Sequence, residues 1–163
     1  MSYVATVLAK NSNNWSAYEV DLDEAEDIDG VVDVIRAVDE DADTTLLFVD
    51  EEDEYLAVVR VDGVDGEPRV FLSDGHAVDS FSLPALLLDA MEIDEQSEDD
   101  EDEDTPSGHD SDPIGDAGLL TDLGTPESAL IKDCTAEGTL PSDVVTSIAE
   151  RAGFLDELET VRA

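Results

Sequence analysis

Alternation of apolar and polar side chains with a period of two predicts strands in two parts of the chain. In the first part, Tyr3–Lys10 and Trp15–Asp21 flank a short Asn-rich turn, as in a β-hairpin. In the second part, Thr44–Asp50, Tyr55–Asp62 and Pro68–Ser73 follow one another across turns that contain acids and glycine. The sequence thus predicts one hairpin and one three-stranded meander.

The strand Tyr55–Asp62 is predicted to be buried on one face only. Its first face is formed by apolar residues: Tyr55, Ala57, Val59 and Val61. The opposite face includes the charged residues Arg60 and Asp62, and an alternation of this kind is typical of a half-buried strand. By contrast, Leu46–Val49 is a continuous apolar run, which favours a strand that is buried on both faces.

A helical period of 3.6 residues runs between the hairpin and the meander, over Asp27–Glu40. Its apolar residues recur on one side: Ile28, Val31, Val32, Ile35 and Val38. This pattern predicts an amphipathic helix that packs on the sheet. Further along, the apolar segment Leu83–Ile93 is predicted as a short helix, because Pro84 suits a first helical turn and Asp89 disfavours a strand. A sixth strand is the alternative for this segment.

The last part of the chain returns to helical patterns. A helix is predicted over Ile114–Leu123, and Thr125 and Ser142 are predicted to cap two more, the second of which ends at Gly153. The apolar side of a final short helix is formed by Phe154, Leu155, Leu158 and Val161. About fifty residues are marginal for independent folding, so this module is expected to pack on its own sheet, on a second copy or on a partner.

Together these elements predict an α+β fold, with an antiparallel sheet of about five strands in the order ββαβββ and a helix on one face. A change of composition divides the chain, because residues 92–112 contain 12 acids and neither Lys nor Arg. A charge run of this kind cannot collapse and is predicted to be disordered. The predicted units are an α+β sheet domain at 1–93, an acidic disordered linker at 94–112 and a small helical module at 113–163.

Acidic residues dominate the whole chain, with 45 Asp and Glu against 7 Lys and Arg and a net charge of -38. Direct binding to nucleic acid or to an anionic membrane is excluded on this ground, since both depend on basic residues. Basic protein partners, or divalent cations held loosely, suit the charge better. Solubility, or adaptation to a salty cytoplasm, is the alternative explanation of the acidity.

Candidate catalytic and metal-binding chemistry is scarce. His76, His109 and Cys134 cannot form a Cys/His zinc set, and the His-x-Glu and Pro-Cys-x-x-Cys signature of zinc-dependent base deaminases is absent. Cys134 is the single cysteine, which indicates a reducing compartment, and it is expected to serve as a small buried apolar residue. No cofactor is predicted. No apolar run reaches the roughly 20 residues of a membrane span, so a cytoplasmic protein is expected.

Aromatic and apolar residues at two places form the candidate partner-binding site. Trp15 lies among polar residues on the predicted hairpin, together with Tyr18, and it either anchors a partner or belongs to the core. Phe154 and Leu158 belong to the apolar side of the last predicted helix. These four residues are the predicted contacts, and catalytic and metal-binding residues are not predicted.

The order of several segments resembles the bacterial family of tRNA adenosine deaminase-associated proteins. The matching segments are Met1–Lys10, Trp15–Asp23 (WSAYEVDLD), Val58–Gly63 (VVRVDG), Pro68–Asp74 (PRVFLSD), the acidic linker and Leu119–Gly124 (LLTDLG). The resemblance covers nearly the whole chain. The family's name reflects genes that lie beside the gene of the tRNA wobble adenosine deaminase. The resemblance implies no set of catalytic residues.

The leading functional hypothesis is therefore a non-enzymatic accessory or adaptor protein that acts through protein–protein contact, on a tRNA-modifying deaminase in particular. The alternative from another class is an acidic nucleic-acid mimic that inhibits a basic nucleic-acid-binding protein, whose binding would weaken steeply with salt. An enzyme with an unrecognised site ranks last, and a deep pocket holding carboxylates with shifted pKa values would favour it.

Overall fold

The computed structural model describes residues 4–11, 14–22, 25–38, 41–51, 55–62, 68–73, 86–87, 114–136 and 138–162. Within these ranges, six strands form one antiparallel sheet in the order β2-β1-β3-β4-β5-β6. The strands are β1 (Val4–Asn11), β2 (Asn14–Val20), β3 (Thr44–Glu51), β4 (Tyr55–Asp62), β5 (Arg69–Leu72) and β6 (Ile114–Gly115). The helices are α1 (Ile28–Val38), α2 (Glu127–Thr135), α3 (Pro141–Ala152) and α4 (Leu155–Arg162).

The predicted α+β fold and its ββαβββ order are confirmed by the first five strands and α1. Helix α1 packs on one face of the sheet, which we call the α1 face, through the buried Val31, Val32 and Ile35. The sheet residues of this core are Ala5, Val7, Leu47, Val49, Tyr55, Ala57, Val59, Val61, Val70 and Leu72. Every second residue of the central strands points to this face, so the two-residue period generates the core directly.

The opposite face of the sheet is covered as well, by the helices at the C-terminal end, and we call it the C-terminal face. Its sheet residues are Leu8, Leu46, Phe48, Leu56, Val58 and Phe71. They pack on α3 and α4 through Val144, Val145, Ile148, Ala149, Phe154 and Leu158. The prediction that β4 is half-buried is therefore wrong, because seven of its eight residues are buried and only Asp62 is exposed.

The C-terminal segment adds a sixth strand to the sheet. β6 pairs with β5, and the Asp116 backbone N–H donates to the Val70 carbonyl at 2.8 Å. The predicted helix over Ile114–Leu123 is wrong, because this segment forms β6, a turn and a short 3-10 helix at Thr121–Leu123. Gly115 has a φ of 96°, and the Asp116 carboxylate accepts a bond from the Gly118 N–H, so local turn contacts replace the helix.

The two predicted helix caps, Thr125 and Ser142, are also wrong. Helix α2 begins after Pro126, and Thr125 is fully buried without capping it. Helix α3 begins at Pro141, whose ring suits a first helical position, and the Asp143 carboxylate accepts a bond from the Leu140 N–H at 3.2 Å. The predicted stop at Gly153 is confirmed by its left-handed φ of 92°.

Two predicted segments lie outside the described residues. These are the acidic linker at 94–112 and most of Leu83–Ile93, of which Leu86 and Leu87 are described, with helical backbone. Leu87 is fully buried in the core of the α1 face. The division into a sheet domain and a helical module stays a prediction, whereas the contacts place residues 114–162 directly on the sheet.

Candidate interaction surface

The predicted partner-binding residues of the hairpin lie on β2, at one edge of the sheet. Trp15 is half-buried and points to the C-terminal face, while Tyr18 points to the α1 face and is 39% exposed. Successive residues of a strand alternate between the faces, so these two aromatic side chains flank the same edge from opposite sides. Tyr18 is one of three large apolar residues that are exposed in the described part of the chain: Val4, Tyr18 and Leu140.

Trp15 is held in place by a small aromatic cluster. Its ring lies 4.8 Å from the ring of Phe154 with an interplanar angle of 57°, and Phe154 lies 5.8 Å from Phe48. The Lys10 Nζ lies 5.8 Å from the centroid of the Trp15 ring, on the neighbouring strand, within the range of a cation–π contact. Tilted rings at these separations attract one another, so the cluster fixes the indole against the C-terminal face.

Phe154 and Leu158 occupy the core of the C-terminal face, not its surface. Phe154 is fully buried and Leu158 is 2% exposed. The Phe154 N–H donates to the Ala149 carbonyl at 3.0 Å, and the Phe154 carbonyl accepts from the Leu158 N–H at 3.0 Å. The structure thus brings Trp15 and Phe154 together, and Phe154 with Leu158 supports the side of β2 on which Trp15 lies.

A buried cation ties the C-terminal segment to the sheet, on the same face as Trp15. The Arg60 guanidinium donates to both Asp122 carboxylate oxygens, at 2.6 and 2.9 Å, and to Asp62 Oδ1 at 2.9 Å. It also donates to the Leu119 carbonyl at 2.6 Å. The bidentate geometry makes this a strong pair, and the four acceptors satisfy a guanidinium that is only 7% exposed.

The pairing shifts both titrating groups in the direction of their charged forms. Hydrogen bonding to Asp122 raises the pKa of Arg60 although burial opposes the shift, and hydrogen bonding to Arg60 lowers the pKa of Asp122 below its ordinary value of 3.8. The network was not anticipated from the sequence, in which Arg60 read as a surface residue of β4. The available signal was the single cation of a strand in which every residue except Arg60 and Asp62 is apolar.

Further ion pairs hold the C-terminal segment. Arg69 donates to the Asp116 carboxylate at 2.8 Å, and Arg151 donates to Asp133 at 3.0 Å between α3 and α2. In the described part of the chain, Arg60, Arg69 and Arg151 are thus each paired with Asp. The surface potential of the described part consequently stays strongly negative.

Exposed acids are present on each of the four helices. They include Asp29 and Asp33 on α1, Glu127 on α2, Asp143 and Glu150 on α3, and Asp156 and Glu159 on α4. The negative charge therefore surrounds both covered faces of the sheet. A surface of this kind attracts basic partners and repels nucleic acid.

The described ranges contain few side chains arranged for catalysis or metal binding. No group of three or more His, Cys, Asp or Glu that could hold a metal ion is found there. Burial raises the pKa of the Cys134 thiol to about 12, so Cys134 serves as a packing residue of the C-terminal face, as the sequence predicts. Ser73 accepts a bond from the Leu56 N–H at 2.9 Å, a contact within the sheet. In the same ranges, no helix is both long and apolar enough to cross a membrane.

An acidic α+β sheet protein with an aromatic edge is the class that these features define. The chain belongs to the family of Rv3753c-like tRNA adenosine deaminase-associated proteins, whose model matches residues 2–155. It is 31% identical over 116 residues to Protein Rv3753c of Mycobacterium tuberculosis (strain ATCC 25618 / H37Rv). That match covers 70% of this chain and 61% of the relative, so the chain spans less than two thirds of the relative's length. No solved structure matches the chain.

Proposed function

We propose that the protein is a non-enzymatic accessory protein that acts by direct contact with a tRNA adenosine deaminase. The observation that carries this proposal is membership of a family that is described as associated with this deaminase. The family model matches residues 2–155, which include the whole sheet, α1, α2 and α3.

Charge gives the contact a physical basis. An enzyme that acts on tRNA needs a basic face for the phosphate backbone, and a protein of net charge -38 is attracted to such a face. Trp15 and Tyr18 supply the aromatic part of the contact, since aromatic residues with partly buried rings dominate many protein interfaces. In this proposal Phe154 and Leu158 contribute indirectly, from the core of the C-terminal face, by holding the indole of Trp15 in position.

The proposal is tested with purified full-length protein and the deaminase of the same organism. Binding is measured by titration calorimetry at low and at high salt, and tRNA deamination is followed with and without the protein. A complex that persists at high salt, together with a change in deamination, supports the accessory role. Absence of binding at either salt concentration would remove the basis of the proposal.

A nucleic-acid mimic is the second candidate, and the abundance of exposed acids on all four helices favours it. In this case the protein would compete with tRNA for the basic face, and its affinity would fall steeply as salt increases. The same titration separates the two candidates. Binding only at low salt, shared with unrelated basic proteins, favours the mimic, whereas salt-resistant binding to the deaminase favours the accessory protein.

A further inference from the structure

The outer edge of β2 differs from an ordinary protected sheet edge. β2 pairs with β1 through seven consecutive residue pairs without a bulge, and no other described strand pairs with it. Proteins commonly protect an exposed edge by shortness, proline, lysine or a bulge. The opposite edge follows this rule, since β6 has two residues, whereas β2 has seven and contains no Pro, Lys or Arg.

The register determines which backbone groups of β2 point away from the sheet. The Lys10 carbonyl accepts a bond from Asp43 on the β3 side, so the alternate residue Ala9 directs its backbone groups to β2. Ala9 is paired with Ser16, and neighbouring pairs alternate in an antiparallel ladder. The residues of β2 with outward backbone N–H and C=O groups are therefore Trp15, Ala17 and Glu19.

Side chains on both faces give this edge a definite chemistry. Glu19 is exposed and lies on the C-terminal face. On this face α4 packs on β2 and exposes Asp156 and Glu159. The Lys10 Nζ lies over the Trp15 ring on the same face. A strand beside β2 would thus meet backbone groups at the edge, an aromatic side chain on each face and an acidic rim on one face.

We propose that β2 binds an extended, basic segment of the partner protein, which adds to the sheet as a further strand next to Trp15, Ala17 and Glu19. Main-chain hydrogen bonds supply affinity in such strand addition, and alternate side chains supply specificity. Charge selects this occupant, because a second copy carries a net charge of -38 and residues 92–112 of this chain contain 12 acids. Lys and Arg opposite Glu19 form favourable cross-strand pairs, and the acids of α4 add to the attraction of a basic segment.

The inference deepens the proposed function, and it is tested by amide hydrogen exchange on the full-length ¹⁵N-labelled protein. The first probe is the tRNA adenosine deaminase, and the second is an eight-residue peptide that alternates Lys and Val. A peptide with the same sequence and N-methylated backbone amides serves as the control. Strand addition is expected to slow exchange at Trp15, Ala17 and Glu19 at least tenfold. Exchange at Ser16 and Tyr18 should change little, because their backbone groups already face β1.

A matched pair of variants tests the backbone contact separately from charge. Glu19→Pro and Glu19→Thr both remove the carboxylate, but only the proline removes an outward N–H, at an edge position where proline is tolerated. Affinity should fall at least tenfold more for Glu19→Pro than for Glu19→Thr. Thermal unfolding of both variants checks the fold, and if Glu19→Pro does not fold, the exchange pattern of the unsubstituted protein decides.

The outcomes separate this inference from the proposed function. If the deaminase binds without protecting the three amides and both variants bind equally, the accessory role stands and the strand addition is wrong. If the deaminase does not bind, the proposed function fails, and the peptide decides the strand addition: alternate protection supports it, and unchanged exchange overturns it. Dimerisation of the protein alone through β2, measured by sedimentation, would also overturn it.

Discussion

The Arg60 guanidinium of β4 donates hydrogen bonds to both carboxylate oxygens of Asp122, which lies 62 positions later in the chain. The two partners have very different surroundings, since the side chain of Arg60 is 7% exposed and that of Asp122 is 65% exposed. Water can therefore solvate the Asp122 carboxylate without help from Arg60. The buried Arg60 guanidinium is hardly accessible to water, so it depends on its protein partners. Loss of the carboxylate is consequently more damaging than the exposure of Asp122 suggests.

Asp122→Ala is expected to lower the free energy of unfolding by about 1–3 kcal/mol, because it leaves two donors of a buried guanidinium without their carboxylate. Chemical denaturation measures the change. The matched control is Asp33→Ala on the exposed side of α1, which should change stability by about 0.5 kcal/mol or less. Equal effects of the two substitutions would show that the Arg60 pair does not stabilise the fold.

The same pair predicts a pH dependence of stability. Arg60 holds the pKa of Asp122 below its ordinary value of 3.8, so the stabilisation is fully present above that value. It is lost as the pH falls through the lowered pKa. Unfolding of the unsubstituted protein and of Asp122→Asn should therefore differ at neutral pH and converge in acid. A difference that stays constant from neutral pH to about pH 2 would contradict the assignment.

Phe154→Ala is expected to cost about 3–5 kcal/mol, because it removes a fully buried ring between Trp15 and Phe48. Trp15 is the single tryptophan, so its fluorescence reports directly on the loss of this contact. The emission should shift to longer wavelength as the indole becomes solvated. Phe154→Leu retains most of the apolar volume and should show a smaller loss and a smaller shift.

Alanine substitutions at two glycines with positive φ distinguish the cost of backbone strain from the cost of a steric clash. A Cβ added at Gly124, with φ of 102°, would lie 2.9 Å from the Arg151 carbonyl oxygen. A Cβ added at Gly138, with φ of 82°, would meet no described atom within 4 Å. Both alanine variants should lose about 1–2 kcal/mol to the left-handed backbone, and Gly124→Ala should lose more. Denaturation midpoints that rank the two variants in the reverse order would exclude this explanation.

Tyr18 provides the test of the proposed contact with the deaminase. Tyr18→Ser removes an exposed aromatic side chain and should weaken binding about tenfold or more, or 1.4 kcal/mol, while the thermal unfolding temperature changes little. Leu140→Ser is the control, because Leu140 is 45% exposed and precedes α3. If both variants bind the deaminase as tightly as the unsubstituted protein, Tyr18 is not part of the contact.

Local sequence patterns predicted the strands and α1 because each of them depends on a short-range period. The burial of the second face of β4 could not be predicted in this way. Its cover comes from helices that begin more than sixty residues later, and Arg60 reads as a solvent-exposed cation until Asp122 is placed beside it. Long-range partners of this kind leave no mark on local alternation.

The helix predicted over Ile114–Leu123 is wrong for a different reason. Leu119 and Leu120 have the apolar character of a helix face, yet they are buried in the turn that precedes the 3-10 helix. Asp116 bonds both Gly118 and Arg69, and these side-chain contacts compete with the helical hydrogen bonds. For the candidate site, the sequence named Trp15 and Phe154, but the contact between them depends on the way α4 packs on β2.

Synthesis of the chain proceeds from the hairpin to the helices, and the cover of the C-terminal face comes last. Until residues 114–162 have been made, Leu8, Phe48 and Phe71 have no helices to pack on, although the α1 face can already be complete. The nascent chain therefore passes through a stage with one finished core and one bare apolar sheet face. A nascent chain at this stage binds chaperones and aggregates readily. A product truncated after β5 would therefore expose the apolar C-terminal face and be prone to aggregation.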